Sequence, residues 1–493
     1  MPYLTGRAAS RRLGRGLLEI ALDALHGGGA TKTFSGATPG DLDRLFDRGM
    51  PERGASPARL LRHLRRDIVR HSMRMSHPRL FGLFCAAPLP IAALTEMVTA
   101  SLNQSADAWK AGPAAAHVEA RLIRWMNDAA GFGAGAFGVL TSGGGVANAI
   151  ALKMARDRAL GVSTRRSGLA GRAAAGRLRV YASDQAHFSI ARSLDLLGLG
   201  ERALVIIPSD PQRRMSADAL ARRLAADRRR GLHPMAIVAT AGTTQTGSLD
   251  PVADIVAQAR ACGAHAHVDA AYGGALLFSR RFRHLLKGLE GADTVTVDPH
   301  KWLFQPFSLG VLLARDGRRL HRSFATEPDY LRKDLEAQSE RLDFYQYSLE
   351  GSRPFRGLKL YLTLGLLGRD GLGKLVDRTV DVALHLKRRV ESEARFETCG
   401  AAVDLASVCF RYLPAWARRL TPTERRRAGA RARLNRTQLA LQHTVERRGY
   451  AWFPAIVLDD AVYFRFGIFN PGTTERDIDA TLRHLLRVAA AVG

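Results

Sequence analysis

Lysine and cysteine are both scarce in this chain of 493 residues. Nine of the 73 basic residues are lysine and the rest are arginine, so each lysine amine is one of few candidates for nucleophilic chemistry. The four cysteines, Cys85, Cys262, Cys399 and Cys409, are scattered and form no CxxC pair. That argues against a zinc site and a disulfide framework, and for a reducing, cytoplasmic setting with no bound metal. No apolar run is long enough to span a bilayer, and the N-terminal stretch has arginines but no compact apolar core with a cleavage site. Neither a membrane anchor nor a signal peptide is expected. Zinc-finger spacing, a basic zipper and an RNA-binding aromatic motif are also missing, which matters because the formal net charge is +27. The arginines run along the whole length and are densest from Arg65 to Arg74, Arg222 to Arg230 and Arg425 to Arg436. Such a distribution describes solvated helix faces and loops, not a nucleic-acid footprint.

Hydrophobic residues make up 46% of the chain and charged residues 24%, enough for a large core and two or three domains. Residues 1–78 carry apolar positions at helical spacing in Leu17–Leu25 and Arg59–Val69, an N-terminal helical segment. Residues 79–375 alternate strand-like and helix-like stretches. The strand candidates are Gly138–Thr141, Arg179–Ala182, Ala203–Ile207, Ala236–Thr240, Ala266–Val268, Thr294–Val297 and Gly310–Ala314. This order predicts an α/β fold with a mainly parallel seven-stranded sheet and helices on both faces. Gly161 to Arg177, rich in Gly, Ala, Ser and Arg, reads as a surface insertion. Residues 376–493 change rhythm. A helix over Leu375–Ala394 leads to strands at Ser407–Tyr412 and Val462–Ile468, with an arginine-rich helix between them. A closing helix covers Thr473–Val488. These make a smaller C-terminal α/β domain.

Chemistry concentrates in a few short stretches. Lys301 stands in Asp298-Pro299-His300-Lys301-Trp302, directly after the apolar run Thr294–Val297. A lysine delivered from a strand end into apolar surroundings is costly to keep charged, and a neutral amine can attack an aldehyde and hold it as a Schiff base. A surface lysine beside a structural histidine would look the same in isolation. Thr141-Ser142-Gly143-Gly144-Gly145 follows a short strand and opens a helix, where exposed backbone N–H groups and the helix N-terminus can cradle a phosphate. This turn contains neither GxxxxGK[ST] nor GxGxxG, so a nucleotide is not the natural ligand there. In Tyr181-Ala182-Ser183-Asp184-Gln185-Ala186-His187 a histidine follows a strand and a polar turn, placed to stack on a flat aromatic ring or to cap a helix. In His267-Val268-Asp269-Ala270-Ala271-Tyr272-Gly273-Gly274 a carboxylate ends a buried strand and needs a partner. A protonated pyridine nitrogen would serve.

Taken in order, these stretches resemble the group II pyridoxal phosphate-dependent amino acid decarboxylases, which include the aromatic L-amino acid, glutamate and 2,4-diaminobutyrate enzymes. The resemblance runs from about His77 to the C-terminus. His77-Pro78-Arg79-Leu80-Phe81-Gly82 is similar to the family's HPxFFG motif. Ala239-Thr240-Ala241-Gly242-Thr243-Thr244 and Asn470-Pro471-Gly472-Thr473-Thr474 also follow family patterns. It implies the type I fold of PLP-dependent transferases, pyridoxal 5′-phosphate as cofactor, and a homodimer with sites at the interface. By the same resemblance Lys301 would carry the cofactor and Asp269 would pair with the pyridine nitrogen. His187 would stack on one ring face, with Ala271 under the other. Gly143, Gly144, Asp298 and His300 would hold the phosphate. Thr244 would join the cofactor site, and Ser352 would reach the phosphate from the partner subunit. Tyr330, in Pro328-Asp329-Tyr330-Leu331, matches the loop tyrosine that returns a proton to Cα. The family's aldehyde-forming members carry Phe there, so Tyr330 implies amine formation.

Two departures from the family pattern stand out. Gly145-Val146 replace the usual Ser or Thr and Glu of the cradle, removing a hydroxyl and a hydrogen bond worth about 1 kcal/mol. Ala116-His117 replace the usual Thr and Glu near the substrate side. Phe81 to Pro90, Trp109 and Phe304 to Phe307 are expected to line the side-chain pocket. Phe81, Leu83, Phe84 and Cys85 make it largely apolar, which leans toward an aromatic or other large apolar L-amino acid. An acidic substrate would need a basic anchor such as Arg79 or Lys110. Acidic or diamino acid decarboxylation, aldehyde formation, a lyase or aminotransferase reaction, and a non-enzymatic basic scaffold are the alternatives.

Overall fold

Seven runs of four to eight residues, buried along most of their length, pair into one sheet in a computed structural model that describes residues 6–27, 32–161, 164–326, 341–402 and 405–492. The strands are β1 (Phe137–Thr141), β2 (Leu178–Ser183), β3 (Leu204–Ile207), β4 (His233–Thr240), β5 (His265–Asp269), β6 (Thr294–Val297) and β7 (Gly310–Ala314). Their order is β1-β7-β6-β5-β4-β2-β3. The pairs β2–β3, β2–β4, β4–β5 and β5–β6 are parallel, while β7 runs antiparallel to both β1 and β6. Strands covered on both faces read as continuous apolar runs, and β4 through β7 are buried at nearly every position. All seven expected strands are present, each within a few residues of its expected ends. Because β1 is antiparallel to β7 and β7 to β6, the C-terminal ends of β1, β5 and β6 share one edge of the sheet.

By contacts the chain divides into two compact units. One comprises Leu89–Val380 and Gly400–Ser407 and holds this sheet; the other comprises Met1–Pro88, Asp381–Cys399 and Val408–Gly493. The second has a four-stranded sheet of β8 (Phe396–Thr398), β9 (Ser407–Tyr412), β10 (Ala455–Leu458) and β11 (Ala461–Gly467), in the order β10-β11-β9-β8. Its core is aromatic: Phe81 stacks on Phe466 at 4.5 Å, and Phe410 and Phe453 pack edge-on or tilted against Phe464 and Phe466. The N-terminal stretch is stitched into this unit. Thr33 N–H donates to Gly449 O (2.9 Å), and Phe81 N–H to Trp452 O (2.7 Å).

Two expectations about helices change. The helix expected from Leu375 begins at Gly357 and runs to Glu391, broken at Gly368, whose φ of 65° suits a residue without Cβ. The closing helix runs Glu475–Val492 and is preceded by Thr474, whose hydroxyl and N–H both bond Asp477. The arginines from 222 to 230 lie largely on the exposed face of the helix Ala217–Arg229, as expected of a solvated surface. Among the described residues no helix is long and apolar enough to cross a membrane, and no group of three or more His, Cys, Asp or Glu is placed to hold a metal.

Candidate active site

The C-terminal edge of the sheet is where ligands settle in open α/β folds. Lys301 follows β6 in a turn fixed at both ends. Asp298 N–H donates to Ala271 O (3.1 Å), and Lys301 N–H to Asp298 O (2.9 Å). Beyond it Trp302 is fully buried and gives its indole N–H to Thr379 Oγ1 (2.8 Å). The lysine is therefore held by backbone bonds on one side and a buried ring on the other. Its amine does not sit in an apolar setting, as the sequence suggested. Nζ lies 3.1 Å from Asp298 Oδ2. The two side chains differ in exposure, 23% for Lys301 and 2% for Asp298, so the amine is the accessible partner. Asp298 Oδ1 is buried and has no hydrogen-bond partner among the described residues.

His300 packs into the same turn. Its Nδ1 accepts from Leu309 N–H (3.1 Å), so the neutral ring carries its proton on Nε2, which lies 3.6 Å from Asp298 Oδ2. Burial pushes His300 below the usual histidine range, and Lys301 adds to the fall while Asp298 opposes it. The glycine turn closes over these groups. A Cβ on Gly144 would stand 2.8 Å from Asp298 Oδ2 and 3.1 Å from Ala271 Cβ, and one on Gly143 would stand 3.3 Å from His300 Cε1. Close approach thus requires a glycine at 144 and leaves only a tight fit for a side chain at 143. The helix Gly144–Leu160 starts here; Val146 N–H already donates to Gly143 O (3.1 Å), and the N–H groups of Gly144 and Gly145 precede the first carbonyl they could reach inside the helix.

Asp269 ends β5 and is 5% exposed. Its Oδ1 accepts from Ala271 N–H (3.1 Å) and its Oδ2 from Asn148 Nδ2 (2.8 Å). His187 joins the group through Ser189. Its Nδ1 lies 2.9 Å from Ser189 Oγ, and Ser189 Oγ lies 3.0 Å from Asn148 Nδ2. Burial lowers the pKa of His187; Asp269 and Asp298 pull the other way and Lys301 reinforces the fall. Lys301, Asp269, His187, Ala271, Gly143, Gly144, Asp298 and His300 are therefore brought together. Thr244 and Ser352 are exposed on the same unit. Tyr330 lies outside the described residues.

Other expected pocket residues divide. In the smaller unit Phe81 is fully buried on Phe466, and the Arg79 guanidinium lies 4.2 Å over the Tyr450 ring. In the larger unit Phe304 is fully buried, while Phe307 is 57% exposed with its ring 4.4 Å from that of His300. Phe188, 60% exposed, stands against His187 at 4.1 Å. Trp109 donates its indole N–H to His117 Nε2 (3.3 Å), so the histidine that replaces the family's acid there has a partner. Sequence reasoning missed Asn148 and Ser189. The one available signal was an asparagine a single turn into a helix whose residues from Gly144 to Leu152 are otherwise small or apolar.

An accessible amine, a buried carboxylate bound on both oxygens and a glycine-opened helix N-terminus can hold a phosphorylated aldehyde with a basic ring. A family model described as the pyridoxal-dependent decarboxylase conserved domain matches residues 39–413. L-2,4-diaminobutyrate decarboxylase of Rhizobium meliloti (strain 1021) is 35% identical over 470 residues, covering 94% of this chain and 89% of that protein. Aromatic-L-amino-acid decarboxylase of Bacillus atrophaeus is 28% identical over 470 residues, covering 95% and 93%. The crystal structure of mouse CSAD matches with a TM-score of 0.90 at 26% identity, covering 98% of both chains.

Proposed function

Because this chain belongs to the pyridoxal-dependent decarboxylase family, and so is a carboxy-lyase that uses pyridoxal 5′-phosphate on amino acids, we propose that it converts an aromatic or other large apolar L-amino acid to the corresponding amine and CO2. The carrying observation is the convergence of Lys301, Asp269 and the Gly143-Gly144 turn at one edge of the sheet. The residues suit the cofactor on physical grounds. Gly144 leaves room where a Cβ would collide with Asp298, and Gly143 where one would press on His300; the backbone N–H groups of the helix start then offer a phosphate site. His300 adds an Nε2–H donor. Asp298, expected at the phosphate, is ion-paired with Lys301; a carboxylate repels a phosphate unless protonated, so its proposed part is to hold the amine. Asp269 supplies the anion for the pyridine nitrogen, His187 the stacking ring and Ala271 the flat opposite face. Thr244 completes the site, and Ser352 does so from a second copy in a homodimer. The bound cofactor would supply an aldehyde for the amine and a cationic ring that takes up the electron pair left when CO2 departs.

The chain's own work is orientation and proton control. His187 is held neutral by burial, so it presents an uncharged face. Tyr330 is the proposed donor of the proton that replaces the carboxylate at Cα. In Tyr330→Phe amine formation falls about 10²-fold, the low end for a positioned acid, and in air, with dioxygen as the two-electron oxidant, aldehyde and ammonia rise; product analysis by mass spectrometry reads amine and aldehyde. Unchanged products would remove Tyr330 from the reaction.

Gly145 is where the family's cradle hydroxyl is missing. The nearest atom to a Cβ built there is Ser189 Cβ at 3.9 Å, so a side chain fits. Gly145→Ser is expected to tighten cofactor binding about fivefold, the equivalent of one hydrogen bond of about 1 kcal/mol. Titration of the cofactor-free protein with pyridoxal 5′-phosphate measures it.

The exposed rings of Phe188 and Phe307 beside the two histidines support an aromatic or apolar side chain, and Asp269 and Asp298 are already engaged. A second reading, 2,4-diaminobutyrate, is favoured by the 35% identity to the Rhizobium enzyme; it requires a further carboxylate for the substrate's second ammonium. Incubating the protein and cofactor with single L-amino acids, and following CO2 and products, separates the two. A cytoplasmic location is proposed from the sequence spacing of the four cysteines, which are scattered and form no CxxC pair.

A further inference from the structure

The face of β5 and β6 beneath the helix Gly144–Leu160 is not apolar, as a strand buried on both sides ordinarily is. It carries His265, His267 and Asp269 on β5 and Thr294 and Thr296 on β6, all buried, with His267 in register with Thr294 and Asp269 with Thr296. These side chains form one connected chain. His265 Nε2 lies 2.8 Å from Thr294 Oγ1, and Thr294 Oγ1 lies 2.9 Å from His267 Nδ1. His267 Nε2 lies 3.0 Å from Asn148 Oδ1, which Thr296 Oγ1 also reaches at 2.8 Å. Asn148 Nδ2 then reaches Asp269 Oδ2 and Ser189 Oγ.

The direction of every bond follows from the one group that can only accept, the ionised carboxylate of Asp269. Asn148 must turn its amide N–H groups to Asp269 and Ser189, which leaves Oδ1 to accept. His267 therefore carries its proton on Nε2 and accepts at Nδ1 from the Thr294 hydroxyl. Thr294 in turn accepts from His265 Nε2–H. Burial holds both histidines below their ordinary range, so each is neutral with a single ring proton. On the other branch Ser189 accepts from Asn148 and donates its hydroxyl proton to His187 Nδ1, which fixes the His187 proton on Nε2.

We infer that Asn148 is the positioning residue of the cofactor site, and that His265, Thr294 and His267 form a polarised relay behind it, every proton of which points toward Asp269. The inference rests on Asp269 being the partner of the pyridine nitrogen. Aligned hydrogen-bond dipoles strengthen one another in a low-dielectric interior. They stabilise the buried carboxylate, and its negative charge keeps the ring nitrogen protonated. The same amide orients His187, so a single side chain sets both the ring nitrogen's partner and the stacking imidazole.

Nitrogen-15 NMR on two labelled forms tests this. In the wild-type protein reconstituted with ring-15N pyridoxal 5′-phosphate, the ring nitrogen is expected to resonate as protonated. An unprotonated nitrogen there would reject the Asp269 pairing itself. In Asn148→Leu, similar in volume and without a donor, the resonance is expected to move toward the unprotonated position. The cofactor dissociation constant is expected to rise about tenfold, the effect of losing a hydrogen bond to a charged group. His267→Phe is expected to move the resonance the same way, and His267→Gln, whose terminal amide nitrogen can stand where Nε2 stood, to restore it. A wild-type ring nitrogen that is protonated and stays so in a folded Asn148→Leu would overturn the relay while leaving the pairing intact. Should that variant not fold, histidine-15N spectra of the wild type decide instead. A proton on Nδ1 of His267 overturns the inference, and Nε2–H on both His265 and His267 upholds it.

Discussion

Alanine at Lys301 is expected to reduce amine formation by about 10⁴-fold, the upper end of what one positioned catalytic group supplies, and to abolish the visible absorption of cofactor covalently held by the protein. Among the described residues Lys301 is the lysine paired with Asp298, while Lys359, whose charge His300 also feels, is held by Glu96 at 2.8 Å. A second, separable effect follows from the ion pair. Asp298 is 2% exposed and Lys301 supplies its nearest charge partner, 3.1 Å away. Removing that partner leaves a buried carboxylate uncompensated, a loss of about 3 kcal/mol in the cofactor-free protein. Denaturant unfolding checks it. The double variant Lys301→Ala/Asp298→Asn should recover most of the stability and none of the activity. A single variant as stable as the wild type would show that Asp298 is satisfied some other way.

Much of this site was legible because it follows local rules. The strands β4 and β6 are largely apolar or β-branched runs bounded by turns, and most of the site residues stand at or just past a strand end, where short motifs such as Asp298-Pro299-His300-Lys301 announce themselves. Features that depend on residues far apart in sequence were not legible. The strands β8 and β10 have three and four residues, and β10 is half exposed at an edge, too short for alternation to stand out. Nothing in Thr33 or Phe81 reveals that they pair with Gly449 and Trp452. Phe81 looked like pocket lining because its neighbours are apolar, yet its partner is Phe466. The setting of Lys301 was misjudged for a related reason: apolar flanking sequence says little about the carboxylate three residues back, which the turn folds onto the amine. Asn148 is the plainest case. Its meaning depends on the register of β5 against β6, which a helix sequence does not contain.

Asparagine at Asp269 should act quite differently from alanine at Lys301. The cofactor is expected to remain covalently held, with its visible band retained, while turnover falls about 10³-fold, the cost of removing a preorganised charge from where the reaction needs it. The local network amplifies the loss. Asp269 now accepts from Ala271 N–H on Oδ1 and from Asn148 on Oδ2. An amide has a single accepting oxygen, so one of those two donors must face an NH2 group. Turning Asn148 over to relieve this would set its own NH2 against His267 Nε2–H and the Thr296 hydroxyl. Either arrangement leaves a buried donor unsatisfied, at about 1–3 kcal/mol, and thermal unfolding should register it even without cofactor. Because the lost interaction bears on the ring and not on the substrate side chain, kcat should carry the decrease and KM should change little. A large rise in KM with kcat preserved would instead place Asp269 in substrate binding and leave the ring nitrogen without its proposed partner.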